Sequence, residues 1–540
     1  MFSRQNSPAL ILAAGIAVYT SLLTYLSWVQ YADLRTPTFD MGVSIQIVQT
    51  IIRTGLPYET ANWVSSNGTQ SFNFFGIHFS PVRYLFAGAY WVYPSAATLL
   101  FVQALFVSLG SLPAYKLSLH VLGSKRISLL VSGLYLLIPP IIMSNLYDVH
   151  EESFVPVALM SAYYFYTTRQ YKKSILFFVF MGLIQESVDA LIFFAALQLI
   201  AFNFNDFRQF LRDHKPTKGI VIALSLLVAA PVAFVLENRL FLIINPGAGF
   251  IPLAPQAYAI SPLNILNHVP QKVVYWLVLL GLTGFLPLQN KKALILVIPW
   301  FVVSVFGGNP DFSVFFFQYN FIIIPALIIG MIYGLEKLQH KPLPSGSIAF
   351  RLRMIPLFKK VPVVLLIGYL LFTPLYPLFS PYLVPGPHVV QYYLPPSNST
   401  SLDQLFNMVP NNATVLASDY LFSHVIRGLG SYPLLHVNNF TSGTAGTMIH
   451  LPDNFKPDYI LIFPIDYNDT VIAVKSFPSS YGLLGTVIGE YPVLTGFGSI
   501  QLQKFQVSLY QSGYSGPPKL VSSQIIMIRT MNCNSRSVAL

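Results

Sequence analysis

Long apolar segments recur along this chain and restrict it to folds that are built inside a membrane. An α-helix needs about 17 to 25 apolar residues to cross roughly 30 Å of hydrocarbon, and the pattern predicts eleven such spans. Charged residues make up only 9% of the chain, whereas they make up about 25% of soluble domains. The predicted spans are 8–30, 95–120, 127–146, 153–168, 174–185, 190–204, 219–243, 271–288, 293–307, 315–335 and 361–380.

Two of these predictions concern individual spans. The first span is too long for the apolar part of a signal peptide, so we interpret it as a membrane anchor that is retained. The fifth and sixth spans are short, and they fit either two separate crossings or one broken, re-entrant pair.

Basic residues are distributed unevenly between the two predicted sides of the membrane. With the N-terminus inside, the segments before residue 381 place nineteen Lys and Arg residues in the cytoplasm and five outside. This positive-inside pattern accounts for most of the net charge of +11, so no nucleic-acid partner is needed to explain it. Sequons for N-glycosylation all fall on the predicted outer side. They are Asn67, Asn398, Asn412, Asn439 and Asn468.

The chain divides into three parts by composition. Residues 1–380 carry the spans and a first outer loop at 31–80, and residues 381–397 form a proline-rich linker. Residues 398–540 are more polar and are predicted to form a small domain outside the membrane. The predicted fold class is therefore a mainly α polytopic membrane helical bundle with a C-terminal extracytoplasmic α/β domain. We expect a multi-pass protein of the cell membrane with a cytoplasmic N-terminus.

Short apolar runs predict the strands of the outer domain. The runs at 414–417 and 459–463 are continuous, as is typical of buried strands. Apolar residues alternate with polar ones over 500–509, with a slip of one residue at Lys504 that fits a β-bulge.

All eight acidic residues before residue 200 fall on the predicted outer side. Ionisable groups are costly in hydrocarbon, so acids gathered at one face indicate a polar cavity there. The densest group is the run from Asp148 through His150 and Glu151 to Glu152. Capping of the next helix by Asp148 or Ser153 explains one or two of these residues. A second interpretation is that the negative charges of neighbouring carboxylates raise the pKa of one of them and push it towards neutrality. A third is that His150 binds a divalent metal with Asp148 or Glu152.

The first outer loop supplies further candidates at its two ends. Asp40 precedes a helical pattern, and it fits either a helix cap or a general base or metal ligand. His78 near the end of the loop fits either a hydrogen-bonded structural residue or part of the site. Arg83 follows within about one turn and is suited to binding an anionic phosphate.

Three more charged residues lie at the ends of predicted spans. Glu186 is flanked by apolar residues and is predicted to face the protein interior. Arg239 and Lys272 fit either interfacial anchors or a clamp on the phosphate of a lipid carrier. The sequence has no nucleotide-binding motif and no nucleophile elbow, so energy for a reaction would arrive with an activated donor. Its single cysteine, Cys533, excludes an internal disulfide and a cysteine-built metal site.

A series of short motifs resembles one family of polytopic membrane proteins, domain-of-unknown-function family DUF2079, which is grouped with the C-type (GT-C) glycosyltransferases. This chain departs from the family pattern at Ile45, where a second aspartate is usual, and at Gln185 and Ser187, which replace Lys and Asp. The matching motifs are Phe39-Asp40-Met41-Gly42, His78-Phe79-Ser80-Pro81, His150-Glu151, Gln185-Glu186, Gln318-Tyr319 before Pro325, Pro410 to Val415, His424, Arg427 and Asp458-Tyr459.

The resemblance implies a transferase that moves a sugar from a polyprenyl-phosphate carrier to an acceptor at the outer face. Asp40 would activate the acceptor, while His78, His150 and Glu151 would position the donor phosphate. Arg83 or Arg239 would neutralise that phosphate. A divalent cation, Mg²⁺ or Mn²⁺, is the one cofactor to be expected, with Asp40, His78 and His150 as candidate ligands.

A non-catalytic protein is the alternative, either a transporter or a scaffold for envelope assembly. A transporter usually has repeated halves and ionisable groups near the bilayer midplane. Here the acids gather at one face and no repeat is evident, which favours the enzyme. The expected partners are a polyprenyl-phosphate-linked sugar and membrane lipid, with no nucleic acid.

Overall fold

Helices make up most of the residues that the structure describes. The computed structural model describes residues 7–34, 36, 38–61, 71–244, 260–340, 399–434, 456–462, 481–495 and 499–523. The α-helices, numbered in chain order, are α1 Ser7–Ala32, α2 Val43–Thr54, α3 Arg83–Val92, α4 Ala96–Leu109, α5 Ser111–Leu122, α6 Lys125–Leu137, α7 Pro139–Leu146, α8 Val155–Thr167, α9 Tyr171–Gly182, α10 Ser187–Phe202, α11 Phe204–Asp213, α12 Lys218–Ile244, α13 Val269–Leu282, α14 Ile298–Phe306, α15 Asn320–His340, α16 Ser399–Asn407 and α17 Asp419–Phe422.

Five helical stretches in the described residues are long and apolar enough to cross a membrane, and the bent pair α10–α11 would make six. The chain is thus a multi-pass membrane protein. The ten predicted spans before residue 340 all coincide with helical segments, although the tenth begins at Asn320 rather than at residue 315. The eleventh predicted span, 361–380, and the proline-rich linker lie outside the described residues. The five long stretches are Pro8–Ala32, Ala96–Leu122, Lys125–Leu146, Lys218–Ile244 and Asn320–Gln339.

Prolines mark the start of α7, and a glycine marks the end of α2. Pro139 and Pro140 begin α7, and Ile138 before them is extended, because proline disfavours helical backbone in the residue that precedes it. This break divides the third span into α6 and α7. At the end of α2, Gly55 adopts a left-handed conformation (φ 80°) and its N–H closes the helix on the carbonyl of Ile51.

The interior of the bundle is centred on α15. From Phe321 to Ile332 this helix is almost entirely buried, and it packs against α5, α7 and α8. A group of aromatic rings lies under the loop that follows α7. The ring of Phe154 meets the edges of Phe86 and Phe180 at centroid distances of 5.3 and 5.9 Å. Such pairs each contribute about 0.5–1.5 kcal/mol beyond their buried area, so they hold the backbone beside Phe154 firmly in place.

The first outer loop is folded rather than extended. It contains a π-helical turn, Thr38–Gly42, the helix α2, a short antiparallel pair of strands and a 3₁₀ turn, Phe74–Gly76. The helical pattern that follows Asp40 in the sequence is α2, and its apolar residues at helical spacing, including Ile47 and Val48, are buried. The two strands are β1 Tyr58–Glu59 and β2 Phe72–Asn73.

The C-terminal region forms a mixed six-stranded sheet in the order β4-β3-β5-β7-β6-β8. Parallel pairs join β3 to β4 and β5, whereas the long strands β6 and β7 are antiparallel. The strands are β3 Val415–Ser418, β4 Ser431–Leu434, β5 Tyr459–Ile462, β6 Tyr481–Thr495, β7 Ser499–Ser512 and β8 Leu520–Ser523. The two apolar runs predicted as buried strands are β3 and β5, and all their residues are buried.

The bulge predicted at Lys504 is wrong. Lys504 pairs in register with Glu490, and the irregularity lies in the other strand, between Leu483 and Gly485. The ladder runs through Lys504 without a slip, so no residue is inserted there.

Candidate active site

Asp40 lies in the π-helical turn Thr38–Gly42 and is held by two side chains from the loop after α7. The hydroxyl of Tyr147 donates to Asp40 Oδ2 at 2.7 Å, and His150 Nε2 lies 3.0 Å from Asp40 Oδ1. Gly42, not Asp40, is the N-cap residue of α2. The side chain of Asp40 remains 17% exposed, while that of His150 is only 7% exposed. Asp40 is thus a fixed carboxylate that a substrate can still reach.

The buried side-chain amide of Gln103 forms hydrogen bonds with the backbone of the loop that carries Tyr147 and His150. Gln103, in the middle of α4, accepts a hydrogen bond from the backbone N–H of His150 at 2.7 Å. It also donates to the carbonyl oxygens of Asn145, at 3.0 Å, and of Asp148. These bonds satisfy backbone groups that no helix pairs, and Asp148 itself turns the chain through a left-handed conformation (φ 58°).

Neither residue proposed as a cap of the following helix serves as one. His150 is the N-cap residue of the 3₁₀ turn Glu151–Phe154, and Phe154 is the N-cap residue of α8. The capping interpretation of Asp148 and Ser153 is therefore wrong. Asp148 acts in the loop through its backbone, by its left-handed turn and by the hydrogen bond that its carbonyl accepts.

Arg83 and Glu151 form a buried ion pair. Arg83 Nη2 donates to Glu151 Oε2 at 2.6 Å, and the two side chains are 7% and 4% exposed. Ser80 donates to the second oxygen of Glu151 at 2.9 Å, while Arg83 Nη1 donates to Ser44 Oγ at 3.1 Å. The guanidinium also lies 4.3 Å above the ring of Phe74. Arg83 thus ties α3 to the loop after α7, and its terminal nitrogens are already bonded.

His78 pairs with Glu186 in the same region. Its Nδ1 lies 2.8 Å from Glu186 Oε1, and the second oxygen of Glu186 accepts the backbone N–H of Phe79 at 3.1 Å. Gln185 Nε2 lies 3.0 Å from the same ring nitrogen. In the described part of the chain both polar contacts of the ring fall on Nδ1, which leaves Nε2 for a ligand. At 29% exposed, His78 is the most accessible member of the three ion pairs in this region.

The charges of these groups influence one another strongly. Burial opposes a positive charge on His150, but the hydrogen bond and the charge of Asp40 outweigh it and raise the pKa of His150 above the usual value. Burial likewise opposes a positive charge on His78, but Glu186 outweighs it and raises the pKa of His78. Both imidazoles therefore carry positive charge more readily than a free histidine. Glu151 and Glu152 add to both shifts, which places all these groups in one electrostatic cluster.

The pKa values of the adjacent residues Glu151 and Glu152 are shifted in opposite directions. Burial raises the pKa of Glu152, and the negative charge of Glu151 raises it further. Burial also acts on Glu151, but Arg83 and the histidines outweigh it and lower the pKa of Glu151. The prediction that one of the neighbouring carboxylates is pushed towards neutrality agrees with this arrangement, and the carboxyl whose pKa is raised is Glu152.

The outer domain packs against the turn that carries Asp40. The ring of His424 stacks on Tyr31 at a centroid distance of 4.1 Å, and Tyr31 donates to the carbonyl of Ser423 at 3.2 Å. Burial lowers the pKa of His424 to about 3, so the stacked imidazole is neutral. Gly42 has no room for a side chain, because a Cβ there would lie 2.6 Å from the ring of Phe422.

The comparisons with known proteins agree with this architecture. A sequence profile of the predicted membrane proteins DUF2079 matches residues 30–432, a range that holds every residue of the cluster. The chain belongs to this family. The match includes the helices of the bundle after α1 and the part of the outer domain that packs on the first loop. No curated protein matches the chain.

The fold of this DUF2079 protein is shared with a solved glycosyltransferase of the GT-C type. The structure of ArnT from Cupriavidus metallidurans bound to undecaprenyl phosphate aligns with a TM-score of 0.50 and 14% sequence identity. The alignment covers 94% of this chain and 98% of ArnT. At this identity the likeness establishes the fold, which is the mainly helical, GT-C-like bundle that the sequence predicted.

The sequence named Asp40, His78 and His150 as candidate ligands for a divalent cation. Among the described residues, no group of three His, Cys, Asp or Glu side chains is placed to hold a metal. The three predicted ligands are divided between two pairs, Asp40 with His150 and His78 with Glu186. We therefore derive no step through a metal ion.

Arg239 and Lys272 form no ion pair with the acids of the cluster in the described part of the chain. Arg239 is an exposed residue of α12 and forms no ion pair with another described residue. Lys272 is buried, and its ammonium group donates to the carbonyl oxygens of Asn264, at 2.6 Å, and Val305, at 2.8 Å. Lys272 thus joins α13 to the end of α14 and is neither an interfacial anchor nor a free clamp for phosphate.

Two important residues were missing from the sequence prediction. Tyr147 immediately precedes the acidic run, but nothing in a lone tyrosine indicates a bond to a residue 107 positions away. Gln103 could have been found, because an amide in the middle of an apolar span is costly unless it is hydrogen-bonded.

Proposed function

We propose that this chain is an integral membrane glycosyltransferase that transfers a sugar from a polyprenyl-phosphate-linked donor to an acceptor at the outer membrane face. The observation that carries the proposal is Asp40, a partly exposed carboxylate that Tyr147 and His150 fix within a cluster of paired ionisable groups. The GT-C-like fold supports the reaction class, and the undecaprenyl phosphate in the ArnT structure supports a polyprenyl-phosphate donor.

In the proposed reaction, Asp40 is the general base. Tyr147 donates to one oxygen of its carboxylate and His150 lies beside the other, and the side chain stays 17% exposed, so an acceptor hydroxyl can approach it. The acceptor oxygen attacks the anomeric carbon while the bond from that carbon to the phosphate oxygen breaks. The phosphate leaves with the bonding electrons, and the acceptor proton passes to Asp40.

The donor phosphate requires a positive or hydrogen-bonding partner, and His78 is suited to that role. Its pKa is raised, its side chain is the more exposed of the two histidines, and its Nε2 is available. Arg83 was a candidate for this contact in the sequence, but both of its terminal nitrogens are bonded within the protein. Arg83 and Glu151 then act as positioning residues that hold the loop of His150 against the first outer loop.

The experiment is donor consumption by the purified full-length protein. Polyprenyl-phosphate-linked sugars are supplied one at a time, with and without Mg²⁺ or Mn²⁺, and loss of donor is followed by chromatography. We expect Asp40→Asn to reduce consumption by at least about 100-fold, since it removes a general base but keeps the shape of the side chain. Asp311→Asn is the matched control, because Asp311 is a half-buried aspartate of a short loop outside the cluster.

Two results would contradict the proposal. Undiminished donor consumption in the Asp40→Asn variant would remove Asp40 from the reaction. Movement of an intact sugar lipid or solute across liposomes, with no cleavage of any donor, would instead identify a transporter.

A further inference from the structure

A cleft of about 740 Å³ lies between α1, α4, α5 and α6. It begins beside Pro8, at the start of α1, whereas the other end of α1 leads to the turn of Asp40. The cleft is therefore at the opposite end of the bundle from the carboxylate cluster. Its walls are largely apolar, and its principal lining residues are Ala13, Ile16, Phe101, Leu105, Lys116 and Lys125.

The length of the cleft corresponds to one leaflet of a membrane. It follows α1 from Pro8 to Ser21, which at 1.5 Å per residue is about 20 Å. Half of the hydrocarbon core is about 15 Å thick. A single lipid chain lying parallel to α1 would thus extend from the membrane surface to about the midplane within the cleft. The walls offer such a chain the small and branched apolar side chains of α1 on one side and Phe101 and Leu105 on the other.

Two lysines at one end of the cleft favour a lipid with an anionic headgroup. Lys116 and Lys125 are both exposed there, and the ion pairs found among the described residues involve neither of them. Lys116 lies 5.8 Å from the ring of Tyr164, which does not neutralise its charge. Basic residues at the surface of a bundle, above an apolar cleft between helices, are the pattern that binds anionic lipid headgroups.

We propose that this cleft binds a phospholipid with an anionic headgroup, with the headgroup between Lys116 and Lys125 and one chain along α1. A zwitterionic headgroup brings its own cation and would gain much less from the two ammonium groups. This lipid site is distinct from the proposed donor site, and it does not depend on the proposed function. The positive-inside distribution of charge assigns the bound lipid to the cytoplasmic leaflet.

The test is lipid binding to the purified full-length protein, measured by native mass spectrometry with phosphatidylglycerol or phosphatidylcholine in the detergent micelle. We expect the wild type to retain phosphatidylglycerol more tightly. The variant Lys116→Gln/Lys125→Gln should bind phosphatidylglycerol roughly 10- to 30-fold more weakly, with phosphatidylcholine binding unchanged. Lys172→Gln/Lys173→Gln is the matched control, since it removes two basic residues that do not line the cleft. Its binding should equal that of the wild type.

A third variant tests the apolar part of the cleft. Ala13→Trp fills the space between α1 and α4 and should weaken binding of the lipid whatever its headgroup. Equal retention of the two lipids by the wild type would overturn the proposal. So would equal losses in the two double-lysine variants, or undiminished binding in Ala13→Trp. None of these measurements uses donor consumption, so failure here is distinguishable from failure of the proposed transferase activity.

Discussion

The ion pair between Arg83 and Glu151 allows a quantitative test of how the cluster is held. Arg83→Met keeps much of the length of the side chain but removes its charge, which leaves Glu151 buried without its ion-pair partner. Breaking a buried pair by removing one partner costs about 3–5 kcal/mol, because the remaining charge is uncompensated. We expect the free energy of unfolding to fall by that amount. Adding Glu151→Gln removes the stranded charge and should restore at least about 1.5 kcal/mol.

The free energy of unfolding can be measured by titrating dodecylmaltoside micelles with dodecyl sulfate while following circular dichroism. The chain offers a matched control in Arg212 and Asp213, which pair at 2.7 Å but are 77% and 34% exposed. Arg212→Met should leave stability unchanged, because solvent already screens that pair. The reasoning is refuted if Arg83→Met costs less than about 1 kcal/mol, or no more than Arg212→Met.

Two further substitutions test how the loops of the site are fixed. Gly42→Ala should lower the free energy of unfolding by about 1–3 kcal/mol, since its Cβ would lie 2.6 Å from the fully buried ring of Phe422. Gly88→Ala is its control, because no atom lies within 4 Å of a Cβ there, and equal effects would contradict the overlap. Gln103→Leu should cost about 2–5 kcal/mol and also slow donor consumption, because three backbone groups beside the site lose their partner. Gln198→Leu is the control, because Gln198 is equally buried and its amide donates to two other carbonyl oxygens. This variant should lower stability without slowing donor consumption. Equal slowing in the two variants would argue against positioning by Gln103.

The helices were predictable because each depends on local patterns. An apolar run of sufficient length must form a helix in a membrane, since every backbone group needs a partner within the segment. The break at Pro139 and the burial of β3 and β5 follow from equally local rules. The bulge near Lys504 was wrong for the converse reason. The register of β7 is set by its partner β6, which alternation within β7 alone does not reveal.

The membership of the cluster was partly predictable, whereas its pairing was not. Costly charges at one membrane face are expected to share a polar environment, and the structure pairs Asp40 with His150, His78 with Glu186 and Glu151 with Arg83. Which charge meets which depends on how the first outer loop folds over the loop after α7, and no spacing in the sequence encodes that. Arg83 is an example. The sequence suggested an external phosphate as its partner, whereas the structure places Glu151 Oε2 at 2.6 Å from its guanidinium.

The balance of charge in the cluster explains how so many ionisable groups can be buried together and what a donor would change. Glu151 faces Arg83, while Asp40 and Glu186 each face a histidine whose pKa is raised. Each of these three carboxylates thus has a partner that carries or readily takes up positive charge, which is the condition under which charges tolerate burial.

In the proposed reaction, a donor phosphate would add negative charge to this set of pairs. A negative charge nearby raises the pKa of a carboxyl group, so the phosphate would favour uptake of a proton by Asp40. The acceptor hydroxyl would be the source of that proton. If the proposed reaction holds, we therefore expect binding of the donor phosphate and deprotonation of the acceptor by Asp40 to favour each other electrostatically.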